Sequence, residues 1–133
     1  MRVLLVETDP AIALSAAVIM EIEGHDVSGP VNDVDLARTL AAMRPDVAFL
    51  DIALTGQDAT LALARELFDN HGVPSIFVGG DPAAADAHAD MVIACLPKPY
   101  QANDMVRSLY MADAYFDDRR HILASPVLQK YAS

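Results

Sequence analysis

The strongest constraint on this chain is an alternation that recurs five times along its 133 residues. Short, continuous apolar runs, of the kind a strand buried on both faces requires, are separated by segments with helical caps and spacing. The first run is Val3-Leu4-Leu5-Val6. Asp9-Pro10 then reads as a cap followed by a proline at the first helical position, and Gly24 suits the point just past a helix ending near Glu23. A weaker strand is expected over residues 25–28, closed by Gly29-Pro30. Asn32 or Asp33 caps a second helix running through Met43, stopped by Pro45. A third strand spans 46–51, with an acid at each end. Asp58 is expected to cap a third helix over 59–70, ended by His71-Gly72. A fourth strand at 73–78 leads through Gly79-Gly80-Asp81-Pro82 to a short Ala-rich helix at 83–89. A fifth strand at 91–96 is stopped by Pro97-Lys98-Pro99. The last helix starts near Gln101 and runs to about Arg120.

Repeated β-α alternation implies an α/β fold: a doubly wound, five-stranded parallel sheet flanked by helices, joined by right-handed crossovers. The length suits one domain, read as residues 1–120, with a tail at 121–133 that packs on the domain or on a partner. The 23 alanines among the 53% apolar residues favour helix and close helix–sheet contact.

Charge narrows the partners. The chain has 19 acids against 9 bases, a net charge of −10, which disfavours nucleic acid and anionic membrane surfaces alike. The one cysteine, Cys95, excludes an internal disulfide and a Cys-cluster zinc site. Glu7 and Asp9 interrupt the first apolar run before it reaches signal-peptide length. No apolar stretch approaches the ~20 residues of a membrane helix. The expectation is a cytoplasmic protein without a cleaved leader.

In such sheets the ligand site lies beyond the carboxyl ends of the strands, at the point where the strand order reverses. Glu7, Thr8 and Asp9 follow the first strand, Asp51 ends the third, Gly79 follows the fourth and Lys98 the fifth. Converging carboxylates repel and call for a cation, and carboxylate, carbonyl and water oxygens suit Mg2+. An aspartate beside Mg2+ and a lysine can act as a phosphoryl acceptor, its carboxylate attacking phosphorus to form an acyl phosphate. Glu7, Asp51 and Lys98 are the parts for that chemistry, and Lys98, one of only two lysines, is held between two prolines.

Residues 3–10 (VLLVETDP), 45–52 (PDVAFLDI) and 96–100 (LPKPY), with the turn at 23–27 (EGHDV), resemble the receiver domains of bacterial two-component response regulators, above all the stand-alone ones. The resemblance covers about residues 1–115 and implies the flavodoxin-like strand order 2-1-3-4-5. It implies Asp51 as phospho-acceptor, Lys98 as the residue stabilising the phosphoryl group, and a cis bond from Lys98 to Pro99. It implies Mg2+ held by Glu7, Asp51 and the backbone carbonyl of Ala53. It further implies a histidine kinase or phosphotransfer protein as partner, and no enzymatic activity beyond Mg2+-dependent phosphorylation and dephosphorylation of Asp51 itself.

Three positions depart from the family pattern. The second acid of the metal pair falls on Thr8, whose neutral oxygen lowers the expected Mg2+ affinity, with the neighbouring Asp9 as a candidate replacement. The hydroxyl residue after the fourth strand falls on Gly79, and the aromatic switch residue on Cys95. These departures support a second reading, a pseudo-receiver that binds partners without phosphorylation.

Other residues have ordinary readings beside the functional ones. Asp9 serves as a helix cap, and Thr8 equally as a capping hydroxyl or a ligand. Cys95 reads as a small core residue, and the scattered His25, His71, His88 and His121 suggest no metal site. Met105, Leu109, Ala112 and Phe116 fall on one face of the last helix. That helix and the tail (Tyr110, Tyr115, Ile122, Leu123, Val127, Leu128, Tyr131) either cover the chain's own domain or form a homodimer or partner contact. Two enzyme classes fit poorly. A dehalogenase-class phosphatase needs an Asp where Ala53 stands, and the acidic 7–10 loop would repel a flavodoxin's phosphate.

Overall fold

Alternate residues of the first strand, β1 (Arg2–Val6), enter two different cores. Val3 and Leu5 pack with Ala16, Ala17 and Met20 of α1 (Pro10–Ile22) and with Met105, Leu109 and Ala112 of α5 (Ala102–Ala124). Leu4 and Val6 pack with Ala37 and Ala41 of α2 (Val34–Ala41) and with Leu63, Ala64 and Leu67 of α3 (Gln57–His71). This is the period of two expected of a strand covered on both faces. The third strand, β3 (Val47–Asp51), is buried at all five positions. In this computed structural model residues 1–54 and 56–124 are described, apart from the side chains of residues 54 and 119–124.

With β2 (Asp26–Val31), β4 (Ser75–Val78) and β5 (Val92–Leu96) the strands form one sheet of order β2-β1-β3-β4-β5, every neighbouring pair parallel. The sequence runs outward from β1 to β2 on one side and through β3 to β5 on the other. The carboxyl ends of β1 and β3 therefore flank the switch point. Helices α1 and α5 cover one face, and α2, α3 and the short α4 (Pro82–Ala87) pack on the other. The expected doubly wound sheet and its strand order are both present.

Several boundaries differ from the sequence reading, each for a local reason. The second strand continues through Gly29-Pro30 instead of stopping there. It is an edge strand, where a proline's missing N–H faces away from any neighbour. At Gly29 (φ 102°) an added Cβ would stand 2.7 Å from the Leu5 carbonyl oxygen, so only glycine permits this approach. Asp58 does not cap α3: the cap is Gly56, without a side-chain bond, and Asp58 lies in the first turn. Helix α2 ends at Ala41, short of Met43. Helix α4 starts at Pro82, because the Asp81 carboxylate accepts the Ala83 N–H at 3.0 Å.

Helix α5 runs on to Ala124, past the expected end near Arg120. Met105, Leu109 and Ala112 are buried in the chain's own core, with Phe116 packed against it. That face of α5 packs in this domain's own core. Tyr110 is exposed, and Tyr115 meets Phe116 edge to face. The side chains of Ile122 and Leu123, and Val127, Leu128 and Tyr131 entirely, lie outside the described residues. Among the described residues no helix is long and apolar enough to cross a membrane.

Candidate functional site

Strands β1 and β3 are hydrogen-bonded neighbours, so the residue after the first and the last residue of the third meet. Those residues are Glu7 and Asp51, buried to 4% and 1% exposure. Lys98 reaches them from the loop after β5. Its Nζ lies 2.8 Å from Glu7 Oε2 and 3.2 Å from Asp51 Oδ2, so one ammonium bridges both acids. The Lys98–Pro99 peptide is cis, as the family resemblance implies.

Asp51 collects further donors. The 3₁₀ turn at Ile52–Leu54 brings the Ala53 N–H to Oδ1 at 3.0 Å. Thr8 gives two bonds to Oδ2, from its hydroxyl at 2.5 Å and from its N–H at 3.1 Å. The Thr8 hydroxyl is thus a donor to the acid and does not cap α1. That cap is Asp9, whose Oδ1 accepts the N–H groups of Ala11 at 2.9 Å and Ile12 at 3.1 Å. The Asp9 N–H in turn donates to Glu7 Oε2 at 3.1 Å. The Asp9 carboxylate is engaged at the helix start. Neither Thr8 bond was legible in the chain, because both depend on how the β1–α1 turn lies across β3.

The charges follow from this arrangement. Burial would raise Asp51, but hydrogen bonds from Glu7, from the Thr8 hydroxyl and amide, and from the Ala53 amide outweigh it. Asp51 is held well below the usual carboxylate range and is ionised. Burial and the neighbouring Asp51 push Glu7 up, against the pull of Lys98 and the Asp9 amide. Burial disfavours the Lys98 cation, but its bonds to Glu7 and Asp51 win and raise it. Tyr100 is pushed up to about 12 by burial and by the same two acids, so its phenol stays neutral. Beside the acids a cleft of about 300 Å³ opens between the loops after β1 and β2, with Glu7, Thr8, Pro30 and Asn32 in its wall.

Gly79 and Cys95 touch each other. The Cys95 thiol donates to the Gly79 carbonyl at 3.4 Å, and Gly79 has φ 81°. A Cβ on Gly79 would stand 3.8 Å from Lys98 Cδ, so space exists there for a side chain while the backbone conformation resists one. Burial, then Asp81, pushes the Cys95 thiol up. His25 sits far from the acids, with Nδ1 3.0 Å from the N-terminal amine. Among the described residues no three His, Cys, Asp or Glu side chains gather as a metal cluster.

No family model matches the sequence, and no curated protein matches it. Solved structures do. NtrX from Brucella abortus, in complex with ADP, is 26% identical over 91% of this chain, with a TM-score of 0.77. The response regulator PhyR from Brucella abortus is 24% identical over 92% of the chain, with a TM-score of 0.74. The chain spans 28% of the length of that NtrX and 51% of PhyR. The signal receiver domain of a modulated diguanylate cyclase from Desulfovibrio desulfuricans G20 is 30% identical, covering 84% of this chain and 91% of its own, with a TM-score of 0.69. The chain belongs to the response regulator receiver domain family.

Proposed function

We propose that Asp51 accepts a phosphoryl group from a histidine kinase or phosphotransfer protein and that the chain signals by protein contact. The observation that carries this reading is the contact of Asp51, Glu7 and Lys98 at the ends of three strands. An ionised Asp51 has a lone pair to attack phosphorus. The P–N bond of a phosphohistidine then breaks, its electron pair leaves with the imidazole, and an acyl phosphate forms. Lys98, already at the carboxylate, offsets the charge of the arriving phosphoryl oxygens.

Mg2+ belongs to this reading, and the donor set fits it. The carboxylates of Glu7 and Asp51 and the carbonyl of Ala53 are hard oxygen ligands, and Mg2+ commonly keeps several waters around one or two carboxylates. Thr8 adds no charge to that set. When bound, the ion supplies neutralisation of phosphoryl charge.

A second reading is favoured by one specific contact. The Thr8 hydroxyl rests on the acceptor oxygen at 2.5 Å, which fits an Asp51 that serves only to tie β1 to β3 in a phosphorylation-independent binding module. Amide NMR with Mg2+ and beryllofluoride separates the two. The acceptor reading expects shifts at Thr8, Asp51 and Lys98 that vanish in Asp51→Asn. Identical spectra of parent and variant, with no change at millimolar Mg2+, would leave only the binding module.

A further inference from the structure

The family pattern puts a hydroxyl after β4 to bond the phosphoryl group, and Gly79 has none. A hydroxyl does reach Asp51, but from the opposite side. Thr8, after β1, places both its hydroxyl and its amide on Oδ2, the same oxygen that Lys98 approaches at 3.2 Å. Oδ1 accepts from the Ala53 amide at 3.0 Å. The donors suited to negative charge are therefore concentrated at one oxygen, and that oxygen is turned toward Lys98.

We infer that Thr8 is a catalytic residue of this acceptor, supplying from the β1 side the hydroxyl that the β4 side lacks. The inference rests on the reading of Asp51 as phosphoryl acceptor. Oδ2 forms the bond to phosphorus while the P–N bond of the donor breaks. The departing nitrogen takes the electron pair and picks up a proton from solvent. Once esterified, Oδ2 is a weak hydrogen-bond acceptor, whereas the new phosphoryl oxygens carry charge. The Thr8 hydroxyl turns to one of them, donating a hydrogen bond throughout and never losing its proton. The resting bond to the ionised carboxylate and the new one to a phosphoryl oxygen are both charge-assisted, so the donor keeps its strength only by following the charge.

The sign of the effect is informative. A donor that held only the resting carboxylate would stabilise the nucleophile and slow attack. A donor that strengthens as charge moves onto the phosphoryl oxygens speeds it. Removing the hydroxyl distinguishes these, because the Thr8 amide remains.

The test is labelling of the full chain by phosphoramidate at fixed Mg2+, followed by intact mass, for the parent, Thr8→Val, Thr8→Ser and Asp51→Asn. The expected result is loss of labelling in Asp51→Asn, labelling slowed on the order of tenfold or more in Thr8→Val, and near-parental labelling in Thr8→Ser. Should Thr8→Val melt below the assay temperature, Thr8→Ala takes its place with the same expectation. Equal or faster labelling without the hydroxyl overturns the inference while leaving the acceptor reading intact. So does a Thr8→Ser variant as slow as Thr8→Val, since the methyl would then be what matters. A parent that is not labelled at all, or is labelled as much as Asp51→Asn, instead removes the acceptor reading, and the inference falls with it.

Discussion

The two halves of the sheet's carboxyl edge are held together by different means. At β1 and β3, long charged side chains converge: Lys98 bridges Glu7 and Asp51, and Thr8 closes on the same carboxylate. At β4 and β5 the side chains are minimal. Gly79 and Gly80 both adopt left-handed backbone, Cys95 bonds a backbone carbonyl, and α4 buries only Ala84 and Ala85. One region is fixed by paired charges and the other by backbone conformation.

Removing a charge partner should hurt most. Lys98→Met leaves two buried carboxylates facing one another and should cost about 3 kcal/mol, read by urea unfolding. A cost below about 1 kcal/mol would mean that the charge pairing does not hold the β1–β3 side together. On the other side, Gly80→Ala should cost about 2 kcal/mol, because φ is 78° and the new Cβ would stand 3.1 Å from Ile52. A neutral Gly80→Ala would remove the contrast between the two regions.

Thr8→Asp restores the family's second acid but adds a third carboxylate. Without divalent metal it should lower stability on the order of 1–2 kcal/mol, with Mg2+ recovering more in the variant than in the parent by thermal melting. Equal Mg2+ response in both proteins would mean that Thr8 does not set metal affinity. Least affected is Cys95. With its thiol pushed up, less thiolate is present at neutral pH, so iodoacetamide should label it more slowly than a free cysteine and faster as pH rises. Rapid labelling at neutral pH would show the β5 edge to be more open than its contacts imply.

The sequence was most legible where identity alone determines the outcome. Val3–Val6, residues 46–51 and Lys98 between two prolines carry their strand or loop placement in the residues themselves, and the meeting of Glu7, Asp51 and Lys98 follows from the strand order. Features that depend on neighbours were not legible. Gly29-Pro30 looks like a strand stop until its strand is known to lie at an edge. Asp58 looks like a cap, but Gly56 two residues earlier lets the helix begin sooner. Thr8 offers the same side chain as a cap or as a donor, and only its 2.5 Å approach to Asp51 shows it as a donor and not the cap.

Borohydride reports whether a phosphoryl group is carried on one carboxylate. An acyl phosphate is reduced to an alcohol, so a phosphorylated Asp51 is converted to homoserine while free carboxylates are untouched. After phosphoramidate treatment and reduction, peptide mass mapping is predicted to find homoserine at position 51 and at no other acid. Homoserine at Glu7 or Asp9, or none anywhere in a chain that remains folded, would contradict the account.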